Sequence, residues 1–400
     1  MNAIYIHSAR IIVAVASIAV VSASCAGPAT VEAIPAAIET PLGTDSVETA
    51  LQVLKQPTRA YVYTVRGKLR YIHEHDPNFV SKVTAALDDP DFRKKAKLIA
   101  ILGSVGPAAA PSVPRILRAD AEMRAAMLEA GFQPENLAKG ISGVTADALA
   151  SIGGAETQAL LEKMLRDGSP DEAAGAADAL SRMGRAARSL APALLDRGSK
   201  SQTVLESIQF ARIAVGIDPD AIAGSKNAEF WRRRIVEATA DPNRTLAIQA
   251  AELLPLARVS PKEAMPIVVR LASLRASDEG EWLALSLAQT TMRYGNQGTT
   301  YIVQSAADSD EHIRSASLML LAVPGLADSR QVTDVATRAL SDVSANVRTA
   351  AIAALVQEGQ DARSAIPALE KLNSDDDPMV RSAAAAAIEH ITNPKKDGSR

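Results

Sequence analysis

The sequence predicts an all-α protein, a right-handed α-solenoid of about eleven stacked antiparallel helix pairs. Three observations carry that expectation. Helical periodicity runs almost unbroken from Ser46 onward, with short breaks at Gly, Pro, Asp or Asn. An Asp-rich turn leading into an arginine-bearing amphipathic stretch recurs with a spacing in the thirties. A glycine-to-proline frame precedes that stretch in several units.

The second helix of each unit is clearest near the C-terminus, in "DPMVRSAAAAAIEHI". Asp377 is placed to cap the backbone N–H groups of the first turn, and Pro378 suits the start of a helix. Val380, Ala383, Ala384, Ala387, Ile388 and Ile391 then share one face. The device recurs with Asp342, Val347, Arg348, Ala350, Ala351 and Leu355. It recurs again with Asp310, Ile313, Arg314 and Leu318, and with Asp89, Phe92, Arg93, Ala96 and Ile99. Arg314, Arg348 and Arg381 lie 34 and then 33 residues apart.

The first helix carries a different signature. Gly359, Ala362, Ala365, Pro367 and Leu369 stand at offsets 0, 3, 6, 8 and 10. Gly184, Ala187, Leu190, Pro192 and Leu194 repeat the frame, as do Gly106, Ala109, Ser112, Pro114 and Ile116. A fourth copy keeps Ala264, Pro266 and Val268 but has Arg258 at the glycine position. Proline costs about 3 kcal/mol inside a helix, so its recurrence predicts a place early in the first helix, where no donor is lost.

A first helix with an early proline, an Asp-rich turn and a second helix reading "VR..A..AL" resembles the HEAT repeat. More specifically, it resembles bacterial HEAT units similar to the phycobilisome lyase-like class. The resemblance covers most of residues 46–392, strongest over 310–391 and faintest over 119–153 and 217–240. The tetratricopeptide repeat has a similar period but wants a patterned Trp/Gly/Tyr set, and Trp231 and Trp282 do not repeat. The HEAT resemblance implies that the recurring acids and arginines form a structural inter-repeat ladder with helix caps: Asp89, Arg93, Asp310, Arg314, Asp342, Arg348, Asp377 and Arg381. The alanines then have a role of their own, since a small side chain lets neighbouring helices approach closely.

Composition agrees with helix packing. Hydrophobic residues make up 47% of the chain and aromatics 3%, so the apolar mass is Ala, Leu, Ile and Val. With 43 basic and 46 acidic residues the formal net charge is −3, which removes the electrostatic footprint of a general nucleic-acid binder.

Residues 1–24 read as a signal peptide: one positive charge at Arg10, an apolar run from Ile11 to Val21, then small residues. The run is short for a membrane span, which needs roughly 20 apolar residues. The single cysteine, Cys25, excludes an intrachain disulfide. "VSASC" resembles a bacterial lipobox with Ser22 where Leu is usual, making Cys25 a lipidation candidate; ordinary cleavage after Ala23 or Ala26 is the alternative. Residues 25–45 form a Pro/Ala/Thr-rich tether, 46–392 the solenoid, and 393–400 a polar tail.

Catalytic patterns are sparse. "HEHD" at His73 to Asp76 is the best metal-like cluster, but residues two apart on a helix do not face each other. The deoxyhypusine hydroxylases, a HEAT family, use several His-Glu pairs; only His73-Glu74 has that order here. No phosphate-binding loop, dinucleotide fingerprint or nucleophile elbow is present. Phe230, Trp231, Arg232, Arg233 and Arg234 offer an interaction patch, or else an amphipathic helix with Phe230, Ile235 and Val236 inward. The expectation is a non-enzymatic scaffold or adaptor with no cofactor, binding a protein partner and no nucleic acid. It meets the membrane only through its N-terminus, and is exported: periplasmic or anchored through Cys25, otherwise secreted. The alternatives are a lyase-like protein acting on a chromophore-carrying protein, and a structural subunit of an envelope complex.

Overall fold

The computed structural model describes residues 46–54, 69, 71–132, 142–274 and 280–393, with side chains of the 280–292 helix from Leu283 on. The expected signal segment, Cys25, the expected tether and the residues beyond Asn393 lie outside the described residues. Every regular element among the described residues is helical.

The described chain opens with α1 (Ser46–Val53) and a helical stretch at 71–75. Antiparallel pairs follow: α2 (Phe79–Ala86) with α3 (Phe92–Val105), α4 (Val113–Glu129) with α5 (Gly143–Ile152), and α6 (Gly154–Asp167) with α7 (Pro170–Met183). Next come α8 (Ala191–Ser199) with α9 (Val204–Ile217), α10 (Ala228–Ala238) with α11 (Arg244–Leu253), and α12 (Pro261–Ser273) with α13 (Gly280–Met292). The last are α14 (Gly295–Ser305) with α15 (Glu311–Leu321), α16 (Ser329–Ala339) with α17 (Ala345–Glu358), and α18 (Ile366–Lys371) with α19 (Pro378–Thr392). From α3 to α19 each odd-numbered helix packs on the next odd one, and each even helix lies on its own partner. One apolar cluster runs through the stack from Ala50 to Ile391.

The described residues hold nine complete pairs behind the N-terminal helices. A 3-10 run at Gly106–Ser112 leads straight into the 17-residue α4, and the described residues of the weakly patterned stretch 119–153 hold the end of α4 and the 10-residue α5.

The glycine-to-proline frame has a clear physical form. Gly106, Gly184 and Gly359 adopt φ of 81°, 55° and 56°, a left-handed conformation that costs glycine nothing. Each opens a 3-10 run of seven residues, and the proline falls second in the α-helix that follows: Pro114 in α4, Pro192 in α8, Pro367 in α18. No intrahelical donor is lost there. The fourth copy departs from the frame. Ser260 caps α12 through the Glu263 N–H at 3.3 Å, Pro261 starts the helix, and Pro266 lies inside it. Arg258 nevertheless keeps φ at 55°, the only positive value outside glycine among the described residues.

Small residues set the spacing of the odd-numbered row. A Cβ on Gly103 of α3 would come within 2.7 Å of the Ala148 Cα on α5. In α19, Val380, Ala384, Ala387 and Ile391 are buried, Ala383 and Ile388 half-buried, and Ala385 faces solvent.

Candidate interaction surface

The turns before the odd-numbered helices position the chain's most organised polar side chains. Arg314, in the first turn of α15, donates through Nη1 to the carbonyls of Asp308 and Ser309 at 2.9 and 3.0 Å. Its Nε and Nη2 reach across to both carboxylate oxygens of Asp342, at 2.7 and 2.8 Å. Asp342 also accepts from the Ser344 N–H at 2.9 Å. One repeat on, Arg348 donates to the carbonyl of Asp342 at 2.8 Å and to the Asp375 carboxylate at 2.7 Å. Arg381 closes the series on the carbonyls of Asp375 and Asp376, at 2.5 and 3.1 Å. Arg314 and Arg348 therefore each fix their own turn and the turn that follows, while Arg381 fixes its own.

Charge-assisted bonds of this kind hold a carboxylate ionised. The Arg314 guanidinium, helped by the Ser344 N–H, keeps Asp342 below the ordinary aspartate range against the opposing pull of burial. The Arg348 guanidinium and the Asp377 N–H do the same for Asp375.

The ladder's register differs from the expected one. Asp310 and Asp377 are caps, accepting from the N–H groups of His312 and Met379 at 2.8 and 2.7 Å. Asp342 is not their counterpart. It stands two residues earlier in the frame, with Asp308 and Asp375, and the residue in the cap position before α17 is Ser344, which makes no side-chain cap bond. Spacing to the arginine separates the two roles: six residues for Asp308, Asp342 and Asp375, four for Asp310 and Asp377. Asp375 is thus a ladder acid that the sequence reading passed over.

The same frame relocates the N-terminal member. Asp91 caps α3 through the Arg93 N–H at 2.8 Å, while Asp89 accepts from the Asp91 N–H at 2.9 Å and from Lys94 Nζ at 2.7 Å. Six residues beyond Asp89 is Lys95, not Arg93. Lys95 is buried, donates to the Leu87 carbonyl at 3.0 Å and pairs with Glu122. Arg93 is exposed, with its guanidinium 5.5 Å from the Phe92 ring centre. A Lys in the cation position was the missed signal.

A second set of arginines went unread. Arg115, Arg197 and Arg270 donate to the carbonyls of Leu87, Gly168 and Thr239, at 2.8, 3.2 and 3.1 Å. Each acceptor is the C-cap residue of the preceding even helix, where a cation suits the negative helix end. These arginines share no sequence frame, so periodicity could not reveal them.

The Phe230–Arg234 segment is divided between core and surface. Trp231, Ile235 and Ala238 form the buried face of α10, and a Cβ on Gly198 would come within 2.9 Å of the Trp231 ring. Phe230 meets Trp231 edge-on at 5.4 Å and is half-buried. Arg232 pairs with Glu229, Arg234 lies 3.8 Å from Glu237, and Arg233 is exposed. The tryptophan that would anchor an interaction patch is committed to the fold. Trp231, rather than Phe230 or Val236, leads the inward face because it sits four and seven residues from Ile235 and Ala238.

At the N-terminal end Asp76 accepts from Ser46 at 2.6 Å and Lys82 at 2.8 Å, with Lys82 and then Ser46 pulling its carboxyl down to about 2. His75 instead bonds the Tyr71 carbonyl at 2.8 Å. Among the described residues no group of three or more His, Cys, Asp or Glu is arranged to hold a metal. An open cleft of about 410 Å³ lies between the start of α12 (Pro261, Lys262) and the Asn296, Thr300 and Gln304 face of α14.

A stack of this geometry can be compared with known proteins. Residues 299–389, which contain the whole arginine–aspartate ladder, match the family model described as HEAT repeats. The fold is a HEAT-like α-solenoid. Kap121p bound to Ste12p superposes on this solenoid with a TM-score of 0.50 at 12% identity, over 87% of this chain and 41% of that one. Kap121p alone gives 0.49 at 14% identity, over 86% and 39%. An engineered protein gives 0.33 at 17% identity, over 87% and 99%. This HEAT-like solenoid therefore spans about two fifths of the length of Kap121p. No curated protein matches the chain.

Proposed function

We propose that the protein is a non-enzymatic scaffold that binds a protein partner along its solenoid, exported and held at the bacterial cell envelope by a lipid on Cys25. The observation that carries the reading is the continuous odd-numbered row, α3 to α19. Repeats locked side by side present a long surface of fixed spacing, the kind of extended platform on which solenoids engage other proteins. Its outward positions mix polar and small apolar groups, among them Gln209, Gln289, Met319, Thr349, Ala353 and Ser382, all exposed. Kap121p, of the same fold, has been solved bound to Ste12p. The address rests on the N-terminal sequence, with Arg10, the apolar run to Val21 and the small residues before Cys25.

Photo-crosslinking from Gln209, Thr349 and Ser382 in living cells tests the partner. A discrete protein adduct from one or more of these positions is expected, and three silent positions would sink the reading. Fractionation of Cys25→Ser tests the anchor separately: the protein should move from the membrane to the soluble fraction, and an unchanged membrane fraction excludes the lipid.

A further inference from the structure

Each odd helix of the ladder turns one face toward the pair that follows. In α15 that face carries Arg314, Leu318 and Leu321, and in α17 it carries Arg348, Ile352 and Leu355. The four apolar side chains are buried, and the arginines reach forward to Asp342 and Asp375. One residue further on, Ala322 and Val356 are half-buried against the apolar cluster.

The same positions in α19 read Arg381, Ala385, Ile388 and Glu389. Ala385 and Glu389 are exposed, and Ile388 is only half-buried. Alanine stands where the earlier helices have Leu318 and Ile352, and glutamate where they have Ala322 and Val356. Such a face is too small and too polar to seat another repeat of this kind. Arg381 bonds only the carbonyls of its own turn, through Nη1. Its Nε and Nη2, the atoms with which Arg314 holds Asp342, meet no partner among the described residues. Glu389 has no ion pair among them either.

The two charges are placed symmetrically. Arg381 and Glu389 lie four residues to either side of Ala385, along one i±4 ridge. They are about 12 Å apart along the axis, too far to pair with each other. An acidic partner would satisfy Arg381 but be repelled by Glu389. A second α19, antiparallel and crossing at Ala385, sets each arginine opposite the other helix's glutamate. A two-fold interface requires this self-complementarity, and alanine at the crossing point lets the backbones approach closely.

We propose that the outward face of α19 docks the same face of a second copy of this chain. The two helices run antiparallel about an axis at Ala385, with Arg381 paired to Glu389 of the partner subunit, twice over. A contact centred on one helix from each chain is small, so it dissociates on dilution and each chain folds without it.

Sedimentation equilibrium on the full chain carrying Cys25→Ser tests the pairing. A dimer is expected at about 100 μM chain, and Glu389→Arg, which sets like charges face to face, should weaken it about tenfold or more. Arg381→Glu should weaken it equally, and mixing the two variants should restore a dimer. Because Arg381 also holds its own turn, that variant is used only if its circular dichroism matches the parent's. Ala385→Cys tests the register independently of charge: mild oxidation should link it to its own copy across the axis, whereas Ala353→Cys, exposed on α17, should stay monomeric. A parent that is monomeric throughout overturns the dimer and leaves the face a solvent cap. A dimer insensitive to Glu389→Arg, or one that Ala385→Cys fails to link, overturns this arrangement. Neither measurement involves another protein, so its failure is separate from failure of the scaffold reading.

Discussion

Arg314 and Asp342, 28 residues apart in sequence and on successive repeats, share two hydrogen bonds of 2.7 and 2.8 Å. The planar guanidinium matches the carboxylate at two points and fixes the rotation of one repeat on the next as well as their separation.

Removing the cation leaves a nearly buried carboxylate and two carbonyl acceptors without their donor. Arg314→Ala is expected to lower stability by about 2–3 kcal/mol. Arg314→Lys should recover only part of the loss, since one ammonium cannot make the two-point contact. Urea unfolding measures both, and equal stability of the Lys variant and the parent would refute the two-point account. A cycle with Asp342→Asn should give a coupling of about 1–3 kcal/mol.

Acid should loosen the ladder end first. Asp342 and Asp375 have folded values below their unfolded ones, so their contribution is complete above the ordinary aspartate value near 4 and is lost as pH falls through the depressed values. Hydrogen exchange followed from pH 6 downward should show α15 to α19 losing protection below about pH 4. In Asp342→Asn that pH dependence should flatten. A slope unchanged by this substitution counts against the assignment.

The alanines of α19 make a paired test. Ala384→Phe should overpack the contact with α17 and cost about 1–3 kcal/mol. Ala385→Phe, one residue on but facing solvent, should stay within about 0.5 kcal/mol of the parent. If both are neutral, the helix is docked on a different face.

Arg258 holds a left-handed backbone where the other repeats use glycine. Arg258→Gly should stabilise the protein by about 0.5–1 kcal/mol, the left-handed penalty less the entropy of a freer unfolded chain. A lower melting temperature in this variant would show that the side chain contributes more than the strain it causes.

Much of this architecture is legible in the sequence because each repeat must satisfy the same local demands. The Gly106, Gly184 and Gly359 frames encode a backbone conformation and a proline position, and Asp310 and Asp377 encode caps. What escaped was the register between repeats. Asp375 stands in a run of three aspartates, and only the six-residue spacing to Arg381 separates the ladder acid from the cap. Lys95 was hidden because it differs chemically from the other ladder cations, and Trp231 because an aromatic beside three arginines reads equally well as surface or core. The C-cap contacts of Arg115, Arg197 and Arg270 arise from how even helices lie against one another, which no one-dimensional period records.

The ladder bears on how such a chain can change its length over generations. Arg314 and Arg348 are interchangeable, because each takes its acid from the repeat that follows. Joining Arg314 directly to Thr349 would remove one 34-residue period and leave Arg314 in the place of Arg348, facing Asp375. An excision of half that length would set an even helix into the odd row and strand an arginine. Genetic drift in this region is therefore steered toward whole units gained or lost, each junction resealed by the same pair of residues.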